Sequence, residues 1–156
     1  MDKIDLLILQ SLQENSAAAV EDIARKVHLS LTPTWRRIQK LEEAGVIEKR
    51  VALCNAEKLN VGVTVFVTVK TAQHNAAWLQ KFANGVRELP EVMEFYRMSG
   101  DVDYLLKVVV PDIAGYDAFY MRLIAVAELS DVSSSFAMER IKYSTALPVA
   151  HVLRKK

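Results

Sequence analysis

Three basic residues cluster in the segment LSLTPTWRRIQKLEEAGVI, residues 29–47, where they could bind the phosphates and base edges of a nucleic acid. They are Arg36, Arg37 and Lys40, and the first acid after them is Glu42. The whole chain has 20 basic and 19 acidic residues, so its net charge of +1 gives no reason to expect an anionic partner. The hypothesis therefore rests on this local cluster, although the same pattern also occurs on ordinary solvated helices.

A second group with binding chemistry is the segment RMSGDVDY, residues 97–104. Its simplest interpretation is a hairpin turn in which Gly100 supplies a positive φ. An α-amino acid needs an acceptor for its ammonium group and clustered donors for its carboxylate. Carboxylates beside the backbone donors of Gly100 and Asp101 would supply both. The segment therefore predicts a hairpin, either a plain one or one that also binds an amino acid.

The elements that must position the basic cluster precede residue 50. Apolar residues there recur at helical spacing and predict three short helices. Ser30 or Thr32 can cap the third helix, and Pro33 fits a first-turn position where no donor is needed. Gly45 can end that helix in a left-handed conformation. The short connection between the second and third helices predicts a helix-turn-helix.

The third helix has an inward and an outward flank at ~100° per residue. We expect Thr34, Ile38 and Leu41 to share the inward flank. Trp35 is expected at the core edge, with stacking on a sugar of the nucleic acid as the alternative. A helix-turn-helix places the first residues of its second helix on base edges in the major groove, so the pattern predicts a DNA reader. The predicted DNA-binding residues are Ser30, Thr32, Pro33, Thr34, Arg36, Arg37 and Lys40, with Lys49 and Arg50 in a following wing or strand.

After residue 60 the sequence is rich in β-branched and aromatic residues and predicts the order strand, helix, strand, strand, helix, strand. The junctions ELPEV and ELSDV, at 88–92 and 128–132, each close a helix and open a strand. Two βαβ halves predict a ferredoxin-like sandwich, and the whole chain is then α+β. One sheet face, carrying alternate residues of VTVFVTV, looks too apolar for water. It predicts pairing with a second copy, or otherwise a loosely covered open face.

We expect four parts along the chain. These are a winged helix-turn-helix domain at 1–50, a linker strand at 51–60, a ferredoxin-like effector-binding and oligomerisation domain at 61–140, and a tail at 141–156.

The single cysteine, Cys54, cannot form an internal disulfide and is interpreted as a buried or linker thiol. The amino terminus does not have the pattern of a secretory signal, and no apolar run approaches the ~20 residues of a membrane span. A soluble, cytoplasmic protein without membrane attachment is expected.

The sequence contains no recognisable catalytic pattern. His28, His74 and His151 stand far apart without metal-ligand spacing, and there is no Gly-rich phosphate loop or nucleophile motif. Asp101 and Asp103 could in principle bind a metal or act as acid and base, but a fold alone gives no argument for chemistry. We therefore predict a non-enzyme with no catalytic residues, no metal and no cofactor.

Three stretches are similar to one known family: residues 2–47, then EFYRMSGDVDYLLKVVVPD and SSFAMERIKY. The chain resembles the Lrp/AsnC family of feast/famine transcription regulators over nearly all of residues 2–143. The resemblance implies a winged helix-turn-helix that binds a double-stranded DNA operator, and a ferredoxin-like domain that pairs as a homodimer and assembles to an octamer or similar ring. It also implies control by a small amino acid. TPTWRR and SSFAMERIKYSTALP most resemble the regulators of cysteine detoxification.

In this family, the turn borders the effector pocket at a contact between dimers, with the last strand opposite. Carried over by position, the predicted effector-binding residues are Met98, Gly100, Asp101, Asp103 and Tyr104, with Ser134 and Ser135 facing them. Cysteine, leucine and methionine are the first candidates for the effector. The neutral Gln39 stands where many members carry another basic residue, which is expected to lower phosphate affinity or shift specificity.

The expected function is sequence-specific DNA binding whose operator affinity or oligomeric state responds to a small amino acid. The alternative is an architectural DNA-binding protein that acts without an effector.

Overall fold

Three α-helices follow one another in the first part of the chain, as the apolar spacing predicted. They are α1 (Lys3–Glu14), α2 (Val20–Lys26) and α3 (Leu31–Glu43), in a computed structural model that describes residues 1–154. Asp2 and Asp5 form a capping box at the start of α1, each side chain accepting from the other's backbone N–H. Gly45, with a φ of 66°, follows α3 and terminates it as predicted.

The connection from α2 to α3 spans residues 27–30 and confirms the helix-turn-helix. The helices enclose a core in which Ile8, Ile23 and Ile38 are almost completely buried. Trp35 was expected at the edge of this core, but its side chain is 51% exposed. That expectation was wrong because Trp35 lies about a quarter turn from the buried stripe of α3 and is not packed against the core of these helices.

The predicted linker strand at 51–60 does not form. Residues 51–55 have no regular structure, and residues 56–60 form a turn. The Asn55 side chain accepts from the backbone N–H of Lys58 at 3.1 Å, and Asn60 adopts a φ of 57°. These local hydrogen bonds satisfy backbone groups that a strand would have paired with a neighbour. Cys54 is exposed in this stretch, which fits a linker thiol and not a buried one.

The second half forms a four-stranded antiparallel sheet covered by two helices. In chain order the elements are β1 (Val63–Lys70), α4 (Ala76–Arg87), β2 (Val92–Arg97), β3 (Tyr104–Val110), α5 (Ile113–Val126) and β4 (Asp131–Phe136). The strand order β2-β3-β1-β4 confirms the predicted ferredoxin-like topology. Val65, Val67 and Val69 of β1 are fully buried in the same core as Phe82 of α4 and Phe119 of α5.

The open face of the sheet is more polar than expected. Because the β1 valines belong to the core, the open face carries the alternating residues Thr64, Phe66 and Thr68. Lys107 of β3 lies beside Phe66, and its Nζ donates to Glu94 Oε1 of β2 at 2.6 Å. Lys107 holds the pKa of Glu94 below its ordinary value through this hydrogen bond. Apolar area remains at Phe66, which is 41% exposed.

The chain divides into two units whose boundaries differ from the expected ones. The helical unit comprises Met1–Leu53 and the chain from Ile141 onward, and the sheet unit comprises Cys54–Arg140. The tail is therefore part of the helical unit. Its Leu147 backbone donates to Gln13 Oε1 of α1 at 2.7 Å and accepts from Gln13 Nε2 at 3.2 Å. A 3-10 helix follows at Val149–Arg154, and the remaining residues, 155–156, lie outside the described part.

Candidate DNA-binding and effector sites

The outward face of α3 presents a basic surface. Thr32, Arg36 and Lys40 are exposed, and the first turn of α3 contains no acidic residue. Neither Arg36 nor Lys40 has an ion-pair partner within residues 1–154. Their cationic groups can therefore bind an external anion without first breaking an internal pair.

Arg37 is arranged differently, although it is adjacent to Arg36. Its Nη1 donates to Asp5 Oδ1 at 2.6 Å and to Asp2 Oδ2 at 2.9 Å. These two hydrogen bonds, that to Asp5 first, raise the pKa of Arg37. The pKa of Asp2 is lowered, first by the Asp5 backbone N–H and also by Arg37. Arg37 thus connects α3 to the start of α1. To bind DNA as well, it would have to break its hydrogen bonds to Asp2 and Asp5 or keep them while also contacting the DNA.

Thr34 was expected to contact DNA, but its side chain is fully buried. Its Oγ1 donates to the Ser30 backbone oxygen at 3.0 Å, within the first turn of α3. The assignment of Thr34 to a DNA contact was therefore wrong, because residue 34 lies on the inward stripe with Ile38 and Leu41. Ser30 and Pro33 are exposed at the start of the helix and stay available.

The two basic residues after α3 also differ from each other. Lys49 is exposed and has no ion-pair partner in the described chain, so it can approach a phosphate. Arg50 Nη2 donates to Glu42 Oε1 of α3 at 2.8 Å, which ties the segment after Gly45 to the helix. The segment holds both residues without forming the strand of a wing.

The turn between β2 and β3 is a closed hairpin. The Met98 backbone N–H donates to the Asp103 oxygen at 2.8 Å, and Gly100 has a φ of 114°. The predicted hairpin is confirmed. Asp101 is exposed, and its carboxylate has no hydrogen-bond or ion-pair partner among residues 1–154. It can accept from an external ammonium group beside the backbone of Gly100.

Asp103 is already used by the fold. Its Oδ2 accepts from the Thr71 backbone N–H at 2.8 Å, and its own N–H donates to the Val69 oxygen at 3.1 Å. Its Oδ1 lies 3.9 Å from Nδ1 of His74. Asp103 therefore fastens the turn to the end of β1, and its two oxygens are not equally available to a ligand.

Tyr104 lies in the core and not in an open pocket. It is 5% exposed, and its ring centroid lies 5.4 Å from Phe82, 5.6 Å from Phe95 and 5.8 Å from Trp78. We expected the Tyr104 side chain to contact an effector at the turn. It does not lie there, because the first residue of β3 points toward α4. Met98 is 39% exposed and stays available at the turn.

Ser134 and Ser135 do not face the turn together. Successive strand residues point to opposite faces, and Ser134 is hydrogen-bonded to the Tyr116 hydroxyl of α5, whereas Ser135 pairs with Phe66 in the register of the open face. Burial is the main cause of the raised pKa of Tyr116. Because β1 separates β3 from β4, one chain does not bring these serines to residues 98–103. The expected seven-residue site is thus incomplete in a single copy.

Several residues with a part in these sites were not predicted. Asp2 and Asp5 hold Arg37, and their only sequence signal is a capping box at the start of α1. Thr71 and His74 meet Asp103 because they follow β1, whose antiparallel register with β3 could have suggested the contact.

Within residues 1–154 no group of three or more His, Cys, Asp or Glu side chains could hold a metal ion. Nor does that part of the chain contain a helix long and apolar enough to cross a membrane.

Both units of the chain match known protein families. Residues 1–48 match the winged helix-turn-helix DNA-binding family, and residues 64–147 match the Lrp/AsnC ligand binding domain. The chain is 46% identical over 150 residues to the DNA-binding transcriptional activator DecR of Escherichia coli K12, covering 96% of this chain and 99% of DecR.

Two solved structures have the same architecture. An AsnC family transcriptional regulator from Agrobacterium tumefaciens is 63% identical, with a TM-score of 0.94 over 97% of this chain and 99% of that chain. A transcriptional regulator from Neisseria meningitidis, solved as a complex with L-Met, is 34% identical, with a TM-score of 0.93 over the same shares of the two chains.

Proposed function

The chain belongs to the Lrp/AsnC family of DNA-binding transcriptional regulators, and we propose that it reads its operator with the outward face of α3. The observation that carries the proposal is the exposure of Thr32, Arg36 and Lys40 on one face, with unpaired cations and no acid in the first turn. Arg36 can form a bidentate pair with a guanine, and Lys40 and Lys49 can bind phosphates. Ser30 and Pro33 lie where the helix would enter the groove.

A pair of arginine variants tests this proposal. Arg36→Ala should weaken operator binding by about 1 to 3 kcal/mol and relax the preference at one base pair. Arg87→Ala removes an exposed arginine from α4 of the sheet unit and should leave binding unchanged. Lys49→Ala should weaken binding evenly across sequences. The measurement is a gel shift with a duplex selected from a random library, and equal affinities of wild type and Arg36→Ala would reject the assignment of α3.

We further propose that the turn at residues 98–103 binds a small amino acid. The free carboxylate of Asp101 would accept from the ligand ammonium, and the Gly100 and Asp101 backbone N–H groups would donate to its carboxylate. Met98 would border the ligand side chain. The neighbour from Neisseria meningitidis that was solved with L-Met supports methionine as the first probe, followed by leucine and by cysteine, the effector suggested by the subgroup resemblance.

Calorimetric titration of methionine, leucine and cysteine into the protein tests this site. Asp101→Asn should cost about 1.5 to 3 kcal/mol of affinity, because it removes the charge from a charge-assisted hydrogen bond. Asp117→Asn, an equivalent change at an exposed aspartate of α5, should have no effect. Equal binding to wild type and Asp101→Asn would reject the site. Binding of none of the three would leave the architectural role as the better proposal.

We also propose that the sheet unit pairs with a second copy and that dimers assemble to an octamer or similar ring. Phe66 and Tyr96, which are 41% and 50% exposed on neighbouring rows of the open face, support pairing. Met138, which is 95% exposed beyond β4, adds apolar area that a partner could cover. Because the proposed partner is a DNA operator, we further propose that the protein acts in the cytoplasm. Sedimentation at micromolar concentration should give a dimer or a multiple of it, and a monomer would reject this proposal.

A further inference from the structure

Two large apolar side chains are exposed on the helix assigned to DNA reading. Leu31 is 45% exposed and Trp35 is 51% exposed. They lie four residues apart on α3, so they share one stripe of its surface. The indole N–H of Trp35 has no hydrogen-bond acceptor among the described residues. The fold of the helical unit therefore leaves both the ring and the N–H of Trp35 available.

The surroundings of this stripe favour one kind of occupant. Trp35 immediately precedes Arg36, and the amino-terminal half of α3, which carries Leu31, contains no acid. An apolar surface bordered by the unpaired cation of Arg36 complements a polyanion that also displays apolar groups. The major groove of DNA does so, because each thymine presents a C5-methyl group beside its hydrogen-bonding edge.

We propose that Trp35, assisted by Leu31, is a specificity residue that recognises the C5-methyl group of thymine. The inference goes beyond the basic face and rests on the proposal that α3 reads the operator. Cytosine has no C5-methyl group, so burial of that group against the indole ring favours thymine at the contacted position. The free indole N–H can at the same time donate to a phosphate or base acceptor.

Replacement of thymine by deoxyuridine tests the proposal, because it removes only the methyl group. A duplex selected by the wild-type chain from a random library is prepared with each thymine replaced in turn. Wild type should lose about fourfold in affinity at one or more positions, which corresponds to the ~0.8 kcal/mol of one buried methyl-sized group. Trp35→Gln should bind the thymine and deoxyuridine duplexes equally at that position. Leu31→Ala should reduce the discrimination without abolishing it.

A matched control and three contrary results complete the test. Leu7→Gln changes a residue of α1 that is 48% exposed, and it should keep the fourfold discrimination. If the wild-type protein binds every deoxyuridine duplex as tightly as the thymine duplex, the inference is overturned, and this result does not depend on any variant. Discrimination that persists in a folded Trp35→Gln protein would also overturn it, as would loss of dimers in that variant. If the deoxyuridine test fails while Arg36→Ala binds the operator weakly, only the role of Trp35 is rejected. If Arg36→Ala binds the operator normally, the proposal that α3 reads the operator is rejected.

Discussion

The two candidate sites differ in how many chain segments build them. The proposed DNA-binding face belongs to one helix apart from Lys49, and its helical residues meet because they share the period of α3. The effector site predicted from the sequence draws on the turn between β2 and β3 and on β4, and β1 separates β3 from β4 within one copy. A site on one element is complete as soon as that element folds. A site made from several strands depends on their register and, here, on the proposed pairing of copies.

A similar contrast separates two neighbouring residues of α3. Arg36 is exposed and unpaired within residues 1–154, whereas Arg37 is held by Asp2 and Asp5. The 100° step between them turns one side chain outward and the other toward the start of α1. One basic pair in the sequence therefore supplies an exposed group that we propose binds DNA and a second group that connects two helices.

The largest effect is expected from a charge on the open sheet face. Phe66→Glu should prevent dimer formation, because pairing would bury a second carboxylate beside Lys107, which is already bonded to Glu94. A monomer could bind only one half of a two-fold symmetric operator, so operator affinity should fall by about 100-fold or more. Sedimentation and gel shifts measure both effects. Gln80→Glu adds the same charge to an exposed position of α4 and should change neither. A Phe66→Glu protein that stays dimeric would show that this face is not the interface.

The next effect concerns the sheet unit alone. A Cβ at Gly85 of α4 would overlap the branched side chain of Val126 of α5, so Gly85→Ala must displace that side chain or the helices that pack there. We expect a loss of about 1 to 3 kcal/mol in the free energy of unfolding of this unit. At Gly62 an added Cβ meets the flexible Glu57 side chain at 3.3 Å, so Gly62→Ala is a milder control. Equal urea midpoints for the two variants would contradict the close packing of α4 on α5.

The contrast between the neighbouring arginines predicts a smaller change. Arg37→Ala should cost the helical unit about 1 kcal/mol of stability, since it breaks two partly exposed ion pairs. Arg36→Ala should leave stability unchanged and affect DNA binding. Thermal unfolding of both variants, next to their operator affinities, separates the two roles. A stability loss in Arg36→Ala that equals the loss in Arg37→Ala would remove the distinction.

The smallest effect is a pH dependence of the sheet unit. The Arg122 hydrogen bond holds the pKa of Glu91 below its ordinary 4.5. Because the folded pKa is depressed, the stabilisation is present above pH 4.5 and is lost as the pH falls through the folded pKa. It should amount to a few tenths of a kcal/mol, since Arg122 is 46% exposed. Glu91→Gln should reduce the stability difference between neutral and acidic pH in urea unfolding, and an unchanged difference would exclude the pair.

The sequence predicted the elements better than the directions of single side chains. Helical spacing and strand composition defined three helices and a βαββαβ order, because both patterns are local. The strand predicted at 51–60 was wrong because a turn stabilised by Asn55 forms there instead. Tyr104 and Ser134 were assigned to the effector site from position alone, but they point into the core and toward Tyr116. Such directions follow from strand register, which depends on partners far along the chain.

Regulation by an amino acid requires that the two proposed sites be coupled, and linked titration measures this coupling most directly. Methionine, leucine and cysteine are titrated into the protein with and without its selected operator, and operator affinity is measured with and without each amino acid. We expect one amino acid to change operator affinity several-fold, and the operator must then change the affinity of that amino acid by the same factor. An amino acid that binds the turn with the same affinity in the presence and absence of operator would contradict regulation through this site.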